Sequence, residues 1–158
     1  MSRTQGSKAG EGVAVARASA FAHVFLLAQH LTRRADRELQ PLNLTTSQWL
    51  LLAVVTRHPG KPPTLSEAAA LYGTSRQNVK QIALQLASRG YLVISTDPGD
   101  ARALRLHTTP AVARDFDHPQ AHQRQIEFLR ELFDGLDGTD VVALEALLSR
   151  WLARLRLE

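Results

Sequence analysis

A mainly α-helical fold with one small β-hairpin is predicted for this 158-residue chain, on three observations. Apolar residues recur at three- and four-residue steps along most of the sequence, the period of a helix with one buried face. Three threonines are each followed three positions later by Glu or Gln, the sign of a helix start at Thr45-Gln48, Thr64-Glu67 and Thr74-Gln77. After Gly90 the pattern changes to two β-type runs around Asp97-Pro98-Gly99-Asp100, as in a hairpin with a polar tip.

Residues 1–12 are rich in Gly, Ser and charge and are expected to form a disordered arm. A long first helix follows over 13–39, where Phe21, Val24, Phe25, Ala28, Leu31, Ala35 and Leu39 share one face. Pro41 ends it. The second helix carries Trp49, Leu50, Leu51 and Leu52, and the stretch from His58 to Pro63 breaks the chain before a two-turn third helix over 65–71. The fourth opens after Gly73-Thr74-Ser75, places Val79, Ile82, Ala83 and Leu86 on one face, and stops at Gly90. Beyond the hairpin, Thr109-Pro110 opens a helical segment running to about Phe133, which Pro119 kinks or restarts. The last helix aligns Leu144, Leu147, Leu148, Trp151, Leu152 and Leu155.

The predicted organisation is therefore a core over residues 41–108 flanked by helical dimerisation segments at 13–40 and 109–158. With 44% hydrophobic and 22% charged residues the chain has ordinary globular composition, which excludes wholesale disorder. The absence of cysteine excludes disulfides, thiolate ligands and a thiol redox switch. A net charge of +4 and a pI near 10.1 suit a protein that meets a polyanion. No uninterrupted apolar run approaches the ~20 residues needed to cross a bilayer, so no membrane association and a cytoplasmic location are expected.

A short helix, a turn at Gly73 and a second helix with a greasy inner face and a polar, partly basic outer face make a helix-turn-helix. Gln and Asn can pair bidentately with adenine, and Arg or Lys with guanine, in a major groove. The fourth helix opens with Ser75, Arg76, Gln77 and Asn78, and Lys80 and Gln81 follow one turn later. The hairpin directly after it reads as the wing of a winged helix. On its tip Asp100 and Arg102 are two apart and share a strand face, so the carboxylate is expected to aim the guanidinium, which suits a narrow minor groove.

Five pieces in order, Leu44-Thr45-x-x-Gln48-Trp49, Leu65-Ser66-Glu67-Ala68-Ala69, Ser75-Arg76-Gln77-Asn78-Val79, the run from Leu86 to Gly90-Tyr91-Leu92, and Asp97-Pro98-x-Asp100-x-Arg102, resemble the MarR family of winged helix-turn-helix regulators over about residues 31–109. The resemblance implies a homodimer joined through the first and last two helices, bound to double-stranded DNA. Recognition helices would lie in successive major grooves, with Arg102 in a flanking minor groove and Asp100 as its orienting partner. Ser75, Arg76, Gln77, Asn78, Lys80 and Gln81 would face bases or phosphates, and a small aromatic or anionic effector would bind between the dimer helices and the DNA-binding lobe. The family commonly has Leu-Thr-x-x-Gly after the wing, where this chain has Thr108-Thr109-Pro110-Ala111-Val112.

The expected function is a sequence-specific transcriptional regulator, a repressor relieved by a small molecule, on a pseudo-palindromic operator. Alternatives are a winged-helix protein-interaction module and a metal-responsive regulator. For the latter, His118 and His122 have i, i+4 spacing with Asp115 on the same side. His30 and Trp49 are candidates for an effector pocket, and Leu84 and Trp151 suggest contact surfaces. No nucleophile with its base, glycine-rich phosphate loop or buried carboxylate pair stands out, so neither catalysis nor a cofactor is expected.

Overall fold

The computed structural model describes residues 3–156, with side chains from residue 10 onward. The chain divides into two compact units after Thr46. The first is dominated by one helix, α1 (Arg3–Leu39), closed by a 3-10 turn over Gln40–Leu42 that holds Pro41. Asn43 completes the reversal with a left-handed backbone, φ 54°. Asp36 then ties down the exit: its Oδ1 accepts the Thr46 backbone N–H at 2.7 Å and the Thr46 hydroxyl at 2.8 Å. These bonds, the backbone one foremost, hold the Asp36 carboxyl below the ordinary carboxylate range.

One expectation is corrected in this unit. The disordered arm over residues 1–12 is already helical from Arg3, residues 1 and 2 lying outside the described part. Each glycine there weakens a helix by about 1 kcal/mol, but extending a formed helix adds one hydrogen bond per residue without a new nucleus. The stretch Gly10–Leu42 is also, by length and composition alone, apolar enough to cross a membrane. Between Gly12 and Thr32 the only Asp, Glu, Lys or Arg is Arg17, so the average is apolar although no uninterrupted run is long. Its apolar stripe faces solvent, with Phe21 61% exposed and its ring 5.0 Å from that of Phe25, edge to face.

The second unit holds α2 (Thr46–Arg57) from Ser47 on, α3 (Leu65–Tyr72), α4 (Arg76–Ser88), β1 (Leu92–Asp97), β2 (Asp100–Thr108), α5 (Pro110–Phe116), α6 (Pro119–Leu132) and α7 (Gly138–Leu155). Its core is Leu51, Leu52, Val55, Leu65, Ala68, Val79, Ala83, Leu86, Leu92 and Leu106. α3 packs on α4, α4 on β1 and α3 on β2. Each fully buried leucine stabilises by about 1.5–3 kcal/mol. The strands pair antiparallel from Leu92 opposite Thr108, and Thr64 adds an isolated bridge to Arg105, extending the hairpin by a third short segment.

Capping explains the boundaries. At α3, Thr64 and Glu67 form the expected reciprocal box, the Thr64 N–H donating to Glu67 at 2.6 Å and the Glu67 N–H to the Thr64 hydroxyl at 3.2 Å. The start of α4 is one residue later than predicted: Ser75, not Thr74, caps it by accepting the Asn78 N–H at 3.1 Å. Gly90, at φ 78°, ends α4 as expected, with its N–H on Ala87 and that of Tyr91 on Leu86, both at 3.0 Å. The segment after Thr109 is two helices, because Pro119 starts α6 and holds His118 extended. Unlike α2, α3 and α4, the helices α5, α6 and α7 contain no fully buried residue.

Candidate nucleic-acid interface

Gly73 makes the tight turn of the helix-turn-helix. Its φ of 75° lets the chain reverse while its N–H and that of Thr74 both return to the Ala69 carbonyl, at 3.0 and 3.1 Å. Thr74 then accepts from the Asn78 side-chain amide at 3.1 Å. Ser75 and Asn78 are thus partly engaged in building the helix start, although both stay exposed. Arg76, Gln77, Lys80 and Gln81 are exposed, and none of them has a side-chain partner among the described residues. α4 contains no Asp or Glu, so nothing on the helix itself neutralises Arg76 and Lys80.

The helix is anchored from behind by a polar clamp. Gln48 of α2, 4% exposed, donates to Gln85 at 3.0 Å and accepts from Arg89 at 3.4 Å. Buried amides need such partners, and this one fixes the rotation of α4 about its axis. Nothing in the sequence pairs residue 48 with residues 85 and 89, which lie 37 and 41 positions further on.

The wing differs from its predicted geometry. Thr96 pairs with Leu104 but Asp97 with Asp100, so residues 101–103 are left over on the longer strand and Arg102 sits on this bulge. The shared-face reasoning for Asp100 and Arg102 fails there. Asp100 accepts the backbone N–H of Arg102 at 2.9 Å, and no carboxylate among the described residues pairs with the Arg102 guanidinium. Asp100 orients the tip's backbone rather than the arginine head. Asp97 likewise turns inward, accepting the Gly99 N–H at 2.6 Å and bonding to Arg105; the Gly99 bond foremost keeps its carboxyl below the ordinary range. Asp97 is thus paired with Arg105, while Asp100 and Arg102 both stay exposed at the tip.

Arg105, which sequence reasoning missed, holds the wing to the core. It bonds Asp97 and the Pro62 carbonyl and lies 3.8 Å from Glu67, while the Leu106 N–H reaches the Pro63 carbonyl at 2.9 Å. Its only signal was a cation between two leucines in a strand. At the wing's base Tyr91 donates to Asp115 of α5 at 2.7 Å, and Arg114 bonds the same carboxylate. Burial, then Asp115, pushes the Tyr91 hydroxyl up to about 12.

The weaker candidates do not converge. The His118 Nδ1 accepts the Ala121 N–H at 3.3 Å as the cap of α6, and His122 faces Asp117 at 3.2 Å. No group of three His, Asp or Glu that could hold a metal occurs among the described residues, which corrects the metal pair. His30 lines an open groove of about 610 Å³ on α1 with Arg33, Arg34, Asp36 and Arg37. Trp49, half-buried on α2, is not among its walls.

Residues 42–103 match the MarR family. No curated protein matches the chain in sequence. Solved structures match in fold. A mutant MarR from E. coli complexed with operator DNA is 21% identical, with 83% of this chain and 91% of that one covered at a TM-score of 0.69. A MarR protein from Peptoclostridium difficile is 16% identical over 87% of each chain, at 0.74. BpsR of Bordetella bronchiseptica, whose DNA binding is regulated by 6-hydroxynicotinic acid, is 18% identical over 82% and 90%, at 0.69.

Proposed function

We propose, from the match of residues 42–103 to the MarR family, that this chain is a sequence-specific DNA-binding transcriptional regulator acting as a homodimer. The observation that carries the reading is the cationic, acid-free outer face of α4 beside the wing tip, with Arg76, Lys80 and Arg102 exposed without carboxylate partners among the described residues. Such a surface matches the phosphate charge of a duplex, with Gln77, Asn78 and Gln81 available to base edges. Arg102 enters a minor groove beside the major groove that receives α4.

The exposed apolar stripes of α1, α6 and α7 support a dimer, since a second copy would cover them. Two copies place recognition helices about 34–36 Å apart on a pseudo-palindromic operator. The regulator represses, and a small aromatic anion relieves it; the regulation of BpsR by 6-hydroxynicotinic acid supports this class of effector. Such a ligand acts only by binding one spacing of the recognition helices better than the other.

The test is selection of duplexes from a random pool by the full chain, followed by binding across graded salt. A two-fold-symmetric site is the expected outcome, and Arg102→Ala lowers the slope of log affinity against log salt by about 0.9 with an unchanged unfolding temperature. Indifference to all duplexes at low salt would overturn the reading.

A further inference from the structure

The outward stripe of α4 consists of Gln77, Lys80, Gln81, Leu84 and Ser88, which the helical period places opposite the buried Val79, Ile82, Ala83 and Leu86. Leu84 lies at the middle of that stripe and is 52% exposed. It adds nothing to the core. Single exposed leucines are ordinary on protein surfaces. This one is distinguished by its neighbours, two amides and a cation of the kinds that meet base edges and phosphates, all on one helix without a carboxylate.

A major groove presents one prominent apolar group, the C5-methyl of thymine. Seven residues of helix separate Gln77 from Leu84, a rise of about 10.5 Å or roughly three base-pair steps. We infer that Leu84 is a specificity-determining residue that packs on a thymine methyl group in each half-site, about three base pairs from the one met by Gln77. The inference rests on the DNA-binding reading above and adds to it an apolar contact that selects T·A at one position.

Sites are selected by the wild-type chain and by Leu84→Ala, and each thymine of the wild-type site is then replaced in turn by deoxyuridine, which lacks only that methyl. The wild type enriches a T·A pair at one position per half-site, and Leu84→Ala accepts any pair there. Deoxyuridine at that position weakens wild-type binding about four-fold, the value of one buried methyl group, and leaves Leu84→Ala nearly unaffected. Identical motifs for the two proteins, or equal losses on deoxyuridine, would overturn the assignment of Leu84 alone. Failure of the wild type to enrich any duplex would instead remove the DNA-binding reading itself.

Discussion

Leu86 on α4 and Leu152 on α7 both stand on the apolar face of an amphipathic helix, yet the first is fully buried and the second 50% exposed. The contrast extends to their regions. The segment from α2 to β2 closes on itself, with a core, a buried amide clamp and a wing tied back through Arg105. The helices α6 and α7 are as strongly patterned but leave Ile126, Leu147, Trp151 and Leu155 in solvent. Periodicity states that a face needs cover; it does not state whether the same chain supplies that cover.

The sharpest way to break this comparison is to truncate both leucines. Leu86→Ala is expected to cost about 3 kcal/mol, from lost transfer energy plus a cavity. Leu152→Ala leaves urea unfolding of the dilute chain almost unchanged and weakens only the concentration-dependent part of its stability. Equal losses at the lowest concentration would put α7 inside the same core.

Within the core, Arg105→Gln tests whether the wing depends on one side chain. The substitution removes the ion pair to Asp97 and weakens the bond to Pro62, and about 2 kcal/mol is expected, since bonds to charged groups are the stronger ones. Hydrogen exchange should quicken at the β2 amides and stay unchanged along α7. A uniform increase over both regions would mean that the wing and the flanking helices unfold together.

The smallest effect is expected where the regions join. Tyr91→Phe removes one hydrogen bond to Asp115, which keeps its Arg114 partner, at a cost of about 1 kcal/mol. Because the hydroxyl is raised from 10.0 to about 12, its contribution is complete below pH 10 and is lost as pH rises through about 12. Asp115 has the opposite sign: the Arg114 bond, then Tyr91, depresses its carboxyl from 3.8, so its contribution is present above that value and lost as acid takes the pH down through the depressed one. An absorbance titration should show a late phenolate step that Tyr91→Phe abolishes; persistence of that step would detach Tyr91 from the junction.

Much was legible in the residues themselves. The capping box at Thr64-Glu67, the inner face of α4 and the stops at Gly73 and Gly90 are local, because each depends on neighbours within a turn or two. The wing was legible as a hairpin but not in its register, since a bulge over 101–103 changes which residues share a face and leaves Asp100 on the backbone of Arg102. The start of α4 slipped by one residue because Thr74 and Ser75 are both good caps, and the choice between them lies in the backbone turn at Gly73.

By itself, then, the sequence determined the order of the elements, the polar and basic character of the α4 face and the absence of cysteine chemistry, all properties of composition and short-range spacing. Only the tertiary structure decided that Gln48 clamps Gln85 and Arg89, that Arg105 reaches Pro62, and that Tyr91 holds Asp115. These partners are separated by 24 to 43 positions, and hydrogen bonds over such intervals arise from how helices and strands pack, which no local pattern encodes.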